Sequence, residues 1–183
     1  AIPPSAAETP ADSGDPSLEY AKLTPVNING TRVYGQFAKP KGAGACPATA
    51  RSGEPTLIVD GRHVHSAYRP GEEARRIVAG HATAKAAILF GFGLGHVALA
   101  WQHEKARPLL ALEAVPGLLA APEPDLKPLA AGPTTIATEP DRETFIRFFR
   151  SLAAAELKQL AWLETPGAVS LAPERYAAWR RLA

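Results

Sequence analysis

Short apolar runs alternate with amphipathic segments along most of the chain. The run Ala86–Phe90 is too short for a helix and is bounded by glycine, which is typical of a buried parallel strand. The predicted strands are Ala86–Phe90, Pro108–Leu112, Thr134–Ala137 and Leu160–Leu163. The segments with helical character are Pro70–Ala79, Val97–Lys105, Val115–Ala121 and Asp141–Gln159. This alternation predicts an α/β domain with a mostly parallel sheet of the Rossmann-like type.

Antiparallel strands are predicted before this domain. Asn29-Gly30 separates two stretches of alternating apolar residues, Leu23–Ile28 and Thr31–Phe37, which is the strongest short signal of a β-hairpin. A second pair of short strands is predicted at Thr56–Val59 and His63–His65, joined by a turn at Asp60-Gly61. The α/β domain is therefore expected to carry an N-terminal β-hairpin element.

Composition predicts how the chain divides. Residues 1–17 contain almost no large apolar side chain and are expected to form a disordered arm. Residues 39–55 are dense in glycine, proline and small residues, which predicts a loop. We expect residues 18–66 to form the N-terminal β element and its loop, 67–165 the Rossmann-like domain, and 166–183 the start of a linker or a following domain.

Composition and charge narrow the function classes. With 46% hydrophobic and 21% charged residues among 183, the chain has the make-up of a globular domain. The net charge is only +2 and no block of like charges occurs, so we expect no nucleic-acid partner. No apolar run reaches the roughly 18 residues of a membrane span, so we expect no membrane partner. Cys46 has no second cysteine to pair with, and no signal peptide is visible, which favours the cytoplasm.

The sharpest chemical signal is the glycine loop, the segment Gly91-Phe92-Gly93-Leu94-Gly95-His96 between a predicted buried strand and the next helix. Glycines there allow a tight turn and the close approach of a ligand, and the helix offers unpaired N–H groups. Glu113 ends the next apolar run about 20 positions later, where an acidic residue binds ribose hydroxyls in nucleotide-binding folds. The candidate cofactor-binding residues are Gly91, Gly93, Gly95, His96 and Glu113.

The spacing of the loop narrows the ligand. His96 stands where a dinucleotide fingerprint has its last glycine, which disfavours NAD and FAD. The Gly-x-Gly-x-Gly spacing resembles the first loop of S-adenosylmethionine-dependent methyltransferases, so a nucleotide or an S-adenosylmethionine-like molecule is the candidate ligand. The alternative is that the glycines serve only the geometry of a strand-to-helix turn, and that His96 packs at the helix start.

A second polar cluster precedes the first predicted helix. His63 and His65 would face the same side of a strand, but two ligands are too few for a metal site, so no metal is predicted. In the simpler interpretation, Ser66 and Tyr68 form hydrogen bonds in a strand-to-helix corner, and carboxylates serve the helix N-terminus. The sequence contains no hydrolase elbow, Walker loop or zincin motif, and we assign no catalytic residue.

These motifs together resemble the N-terminal region of the motility-associated factor (Maf) glycosyltransferases. In that family a His-Ser-x-Tyr-x-Pro-x-x-Glu-Ala segment precedes a Gly-x-Gly-x-Gly loop and an acidic residue that ends the next strand. The matching residues are His65, Ser66, Tyr68, Pro70, Glu73, Ala74, Gly91, Gly93, Gly95 and Glu113. His96 departs from the tyrosine that usually follows the loop. Pro173 and Tyr176 resemble the start of the family's next domain, so the resemblance covers about residues 56–183.

The resemblance implies a function for the whole protein rather than for this chain alone. Members of the family are cytoplasmic and transfer nonulosonic acids, such as pseudaminic or legionaminic acid, from CMP-activated donors to flagellin. Their catalytic domain lies outside the region of resemblance. The resemblance therefore implies an accessory domain that docks the catalytic domain, flagellin or another copy of itself, and that is not an enzyme alone.

The rival interpretation is a methyltransferase-like domain that binds a nucleoside at the glycine loop with Glu113 on the ribose. An exposed apolar patch between Trp162 and Trp179 would favour docking. An open polar pocket at the carboxyl ends of the strands would favour the nucleoside.

Overall fold

The computed structural model describes residues 18–21, 26–28, 31–34, 37–40, 45–103, 106–115, 129 and 132–183, with side chains from residue 46 onward. The strands are β1 (Leu18–Ala21), β2 (Val26–Ile28), β3 (Thr31–Tyr34), β4 (Phe37–Pro40), β5 (Ala45–Thr49), β6 (Pro55–Val59), β7 (Arg62–His63), β8 (Ala86–Phe90), β9 (Leu109–Leu112), β10 (Thr134–Ala137) and β11 (Leu160–Glu164). The helices are α1 (Pro70–Ala79), α2 (His96–Gln102), α3 (Arg142–Ser151), α4 (Ala154–Leu157), α5 (Pro166–Leu171) and α6 (Pro173–Leu182).

Four parallel strands form the centre of the fold, in the order β11-β8-β9-β10. The same sheet continues through β3, which is parallel to β10, and ends with β2, which is antiparallel to β3. A separate three-stranded antiparallel sheet has the order β5-β6-β7, and β1 pairs antiparallel with β4. The structure confirms an α/β fold with a mostly parallel sheet.

The central strands are apolar along their whole length because helices cover both faces of the sheet. Every residue of β8 and β9 is buried. On one face Leu89 belongs to a cluster with Trp101 of α2. On the other face Ile88 belongs to a cluster with Phe145 of α3 and Trp179 of α6. The four predicted core strands and the helices α1 and α2 are thus confirmed, with boundaries that differ by a few residues.

The longest described helices, α1, α3 and α6, have ten residues each. Among the residues that the structure describes, no helix combines the length and the apolar character needed to cross a membrane.

Both predicted antiparallel pairs form. Ile28 pairs with Thr31, so a two-residue connection joins β2 to β3, and this hairpin extends the central sheet. Asp60 and Gly61 join β6 to β7 with φ angles of 49° and 76°, which is the mirror-image turn that twisted hairpins favour. The second pair is shorter than predicted, because β7 ends at His63.

Residues 39–55 differ from the predicted loop, since Ala45–Thr49 forms strand β5 against β6. Pro47, which counted against a strand, pairs with Leu57. It is tolerated because β5 is an edge strand of its three-stranded sheet, where a residue without N–H costs least.

The amphipathic segment after β10 forms two helices instead of the one predicted. Asp141 caps α3 by accepting a 2.7 Å hydrogen bond from the N–H of Thr144. The helix ends at Ser151, because Leu152 adopts extended backbone and buries its side chain before α4 begins. The predicted disordered arm and nearly all of the predicted helix Val115–Ala121 lie outside the described residues.

Residues 166–183 form α5 and α6 on the second face of the sheet. Tyr176 and Trp179 of α6 are buried there, and the ring of Tyr176 meets that of Phe90 edge to face, 6.3 Å between centroids. The segment for which the sequence predicts a linker or a following domain thus contributes large side chains to this core.

Replacement of Trp179 tests this packing. Trp179→Ala should lower the free energy of unfolding by about 3–5 kcal/mol, since it leaves a cavity in the core. The measurement is urea unfolding, and Arg181→Ala, an exposed change on the same helix, should cost less than about 0.5 kcal/mol. Equal, small effects of the two changes would show that α6 does not support the sheet.

Candidate functional site

The glycine loop connects β8 to α2 through three left-handed glycines. The φ angles of Gly91, Gly93 and Gly95 are 84°, 55° and 85°, a region that other residues adopt only with strain. A Cβ on Gly91 would lie 2.6 Å from the Cβ of Ala168, and one on Gly93 would lie 2.5 Å from Nε2 of His65. Glycine is therefore required both by the turn and by side chains of the same protein that pack against it.

The carboxylate of Glu113 lies under the loop and accepts three hydrogen bonds. Oε2 accepts from the N–H of Gly93 at 2.8 Å, and Oε1 accepts from the N–H of Val115 at 2.8 Å and the hydroxyl of Tyr176 at 3.0 Å. The Tyr176 hydroxyl in turn accepts from the N–H of Ala114 at 3.0 Å. Both carboxylate oxygens are thus engaged by the protein, at the position where the sequence predicts contact with a ribose.

Burial and hydrogen bonding act on Glu113 in opposite directions. Burial raises the pKa of this carboxyl, because the charged form loses its hydration, and the hydrogen bonds from Gly93, Val115 and Tyr176 only partly offset this effect. Burial and the neighbouring Glu113 also raise the pKa of Tyr176. The phenol therefore stays protonated and keeps donating to Oε1.

His65 fills the space beside the loop. Its ring is buried, and Nε2 accepts a 2.8 Å hydrogen bond from the N–H of Leu94. Because Nε2 is the acceptor, the proton of the neutral ring resides on Nδ1. Burial, with a smaller contribution from His96, lowers the pKa of His65 to about 3. A ring that is neutral at physiological pH thus uses one of the N–H groups that a ligand of this loop would need.

His96 is the first residue of α2, and its side chain contacts the backbone of β6. Its Nε2 lies 2.8 Å from the carbonyl oxygen of Pro55, and since a carbonyl only accepts, Nε2 carries a proton. Its ring meets that of His65 edge to face, 4.9 Å between centroids. His96 therefore packs at the helix start, which is the simpler of the two roles that the sequence allows.

The three-stranded sheet and α5 close the crevice at the carboxyl end of β8. Val64 and Leu94 share an apolar cluster with Ala168. The hydroxyl of Thr165 donates to the carbonyl of Gly91 at 2.5 Å, and the backbone after β7 lies directly against Gly167. Ligands of open α/β sheets bind at such carboxyl ends, beside the strand where the chain order reverses. Here the chain fills that place itself.

The His-Ser-x-Tyr-x-Pro-x-x-Glu-Ala segment builds the corner that leads into α1. The N–H of Ser66 donates to Glu73 at 2.9 Å, while Oγ of Ser66 accepts from the N–H groups of Tyr68 and Arg69 at 3.2 Å. Pro70 is the first helical residue and is buried. Ser66 thus forms the hydrogen bonds of a strand-to-helix corner, while Glu73 bonds to Ser66 instead of to an N–H of the helix, and Tyr68 is 57% exposed.

The two histidines of this region do not share a side of a strand. β7 ends at His63, which is exposed, while His65 lies beyond the strand and is buried. Within the described ranges, no group of three or more His, Cys, Asp or Glu side chains is placed to hold a metal ion.

A cavity of about 490 Å³, the interhelical groove, lies between α1 and α2. His96 and Leu99 line it from α2, and Arg75 and Val78 line it from α1. The sequence reasoning missed this groove, since it singled out none of its lining residues except His96. It also missed Thr165 and the pairing of Tyr176 with Glu113, which joins positions 63 residues apart and has no local signal.

Titration of His65 gives a measurable pH dependence. The pKa of His65 in the folded protein lies below its ordinary value of 6.5. Between pH 6.5 and about 3 the unfolded chain therefore binds a proton at this residue and the folded chain does not, so stability falls as the pH drops through this range. His65→Gln keeps an acceptor near Leu94 without titrating. Between pH 7.5 and 5 the native chain should lose about 2 kcal/mol more unfolding free energy than this variant.

Urea unfolding of both chains at several pH values gives this difference. The comparison removes the opposite contribution of Glu113, whose raised pKa makes stability fall as the pH rises above 4.5 in both proteins. Parallel curves for the two proteins would show that His65 is not a buried neutral ring.

Protein-family models, curated protein sequences and solved structures were each compared with the chain, and none matched. The resemblance to the Maf glycosyltransferases therefore rests on the residues that carry it. Among these, the structure brings His65, Gly93 and Glu113 together at the glycine loop.

Proposed function

We propose that this chain is a docking module, and that it serves as the cytoplasmic N-terminal accessory domain of a Maf-type glycosyltransferase that modifies flagellin with a nonulosonic acid. Its partner is the catalytic domain of that transferase. The observation that carries the proposal is the closed glycine loop, in which His65 and Glu113 take the place and the hydrogen bonds of a ligand.

The topology supports a Rossmann-like ancestry for this module. Read from β10 through β9 and β8 to β11, the strand order is the 3-2-1-4 order at the centre of doubly wound nucleotide-binding sheets. The glycine loop follows the first strand of that order, and Glu113 ends the second. A fold of this kind does not fix the function, which depends on the site that the side chains form.

The closed crevice favours docking over nucleoside binding. A ribose held by Glu113 would need a free carboxylate oxygen, yet both oxygens accept hydrogen bonds from the protein. A ligand at the loop would also displace the buried ring of His65 and leave the N–H of Leu94 without its acceptor. Each buried donor or acceptor that loses its partner in this way costs about 1–3 kcal/mol of free energy.

We place the docking surface at Trp162, whereas Trp179, at the other end of the expected apolar patch, is buried. Trp162 of β11 is 43% exposed although its ring stacks on the buried Phe90 at 5.6 Å. Leu157 and Leu182 are also exposed, at 46% and 44%. Among the described strands β11 pairs only with β8, so its outer side is an edge of the sheet. Tryptophan is the side chain that most often anchors a protein interface, and a rigid edge strand presents it well.

The alternative function is a methyltransferase-like domain that binds a nucleoside. The observation in its favour is the backbone of the loop, where three left-handed glycines precede a helix in the order that S-adenosylmethionine-binding loops have. This function requires His65 and Glu113 to release their partners when the ligand arrives.

Two measurements on the full chain separate these functions. In the first, S-adenosylmethionine, S-adenosylhomocysteine, CMP and ATP are titrated while the amide signals of the loop are followed by NMR. The docking module should show no shift at Gly93 or Gly95. Saturable shifts confined to the glycine loop would overturn the docking proposal in favour of the nucleoside.

In the second measurement, calorimetry follows the binding of the chain to the separately expressed catalytic domain of the Maf-type transferase from the same organism. Trp162→Ser should weaken binding at least about tenfold, because a buried tryptophan anchor contributes about 2 kcal/mol or more. Tyr68→Ser is the matched control, since Tyr68 is also an exposed aromatic residue but belongs to the corner before α1. Absence of binding, or equal losses in the two variants, would contradict the proposal.

A further inference from the structure

Of the described residues that line the interhelical groove, only His96 belongs to the glycine loop, and the groove has the size of a small-molecule site. Its volume of about 490 Å³ falls within the range of ligand pockets. Val78 of α1 and Leu99 and Ala100 of α2 give it an apolar floor. The groove is thus suited to a compact organic body rather than to a bare ion.

Positive and imidazole groups flank this apolar floor. Arg75 lies in the middle of α1, and His96 is the first residue of α2. His103 and Arg107 lie towards the C-terminal ends, since Arg107 donates to the carbonyl of Ala84, just beyond α1. None of the described residues that line the groove is acidic.

The two arginines differ in how they are held. The guanidinium of Arg107 donates to the carbonyls of Ala84 and Trp101 at 3.1 and 3.0 Å, and lies 3.6 Å above the indole ring of Trp101. Its charge is therefore fixed in position. Arg75 forms no hydrogen bond or ion pair with any residue in the described part of the chain, while its neighbour Arg76 lies 4.0 Å from Glu72. Arg75 is thus placed to turn towards a ligand.

A neighbouring cavity of about 520 Å³ differs from the groove in that carboxylates also line it. It shares Arg75 with the groove and contains further arginines, but also the carboxylates Glu54 and Glu72. Glu72 forms an ion pair of 2.7 Å with Arg69, and Glu54 lies directly against Gly71 at the start of α1. This second cavity therefore contains acidic side chains of the protein, whereas none of the described residues that line the groove is acidic.

We infer that the interhelical groove binds a small organic anion, a carboxylate or phosphate ester with an apolar body. Arg75 pairs with the anionic group, and Val78, Leu99 and Ala100 contact the apolar part. Charge-assisted hydrogen bonds from a guanidinium suit both carboxylate and phosphate oxygens. This inference does not depend on the proposed docking function.

The experiment uses phenyl phosphate as the probe and two controls. Phenol has the apolar ring without the charge, and inorganic phosphate has the charge without the ring. Each is titrated into the ¹⁵N-labelled chain, and the amide signals of α1 and α2 are followed. Phenyl phosphate should shift these signals and bind at least about tenfold more tightly than either control. Only this probe can both pair with Arg75 and contact the apolar floor. Equal affinity for the three probes, or no shift at millimolar phenyl phosphate, would overturn the inference.

Variants of Arg75 locate the site. Arg75→Gln should weaken phenyl phosphate binding at least about tenfold, and Arg75→Lys should retain part of the affinity, because a charge remains. Arg76→Gln is the control, since Arg76 is exposed on the same helix but does not line the groove. All three changes are at exposed positions, so an unchanged melting temperature verifies that each variant is folded. An equal effect of Arg75→Gln and Arg76→Gln would show a nonspecific charge effect and contradict the inference.

Discussion

The buried carboxylate of Glu113 joins three parts of the fold that are far apart in the sequence. Its oxygens accept hydrogen bonds from Gly93 in the glycine loop, from Val115 after β9 and from Tyr176 in α6. Burial of a carboxylate is costly, and charge-assisted hydrogen bonds from all three sides offset much of that cost. Removal of any partner would leave a buried polar group unmatched, so loop, sheet and C-terminal helix hold one another in place.

The same network explains why the loop presents its backbone inward. The N–H of Gly93 donates to Glu113, and the N–H of Leu94 donates to His65, which follows the last strand of the three-stranded sheet in the sequence. In loops of this kind, such N–H groups are the donors to a phosphate or a ribose-bearing ligand, but here they already donate to the protein's own side chains. His65 therefore occupies the crevice in place of a ligand, while the side chain of Trp162 and the interhelical groove stay accessible among the described residues.

Local patterns predicted the central sheet well, because a strand buried on both faces must be apolar along its whole length. They failed where distant parts of the chain decide. Pro47 suggested a loop, but a place at the sheet edge allows it in β5. Glu113 was recognised by its spacing from the glycines, whereas its partner Tyr176 is 63 residues away and shares no periodicity with it. The pattern thus located the loop, and only the tertiary contacts revealed that the chain itself fills it.

The most direct test of this account is amide hydrogen exchange at the glycine loop. If Glu113 and His65 hold the loop closed, the N–H groups of Gly93 and Leu94 should exchange as slowly as that of Leu89 in the buried strand β8, because exchange requires the network to open. The exposed turn residue Gly61 supplies the reference for fast exchange. Exchange of Gly93 and Leu94 at the rate of Gly61 would show an open loop and contradict the account.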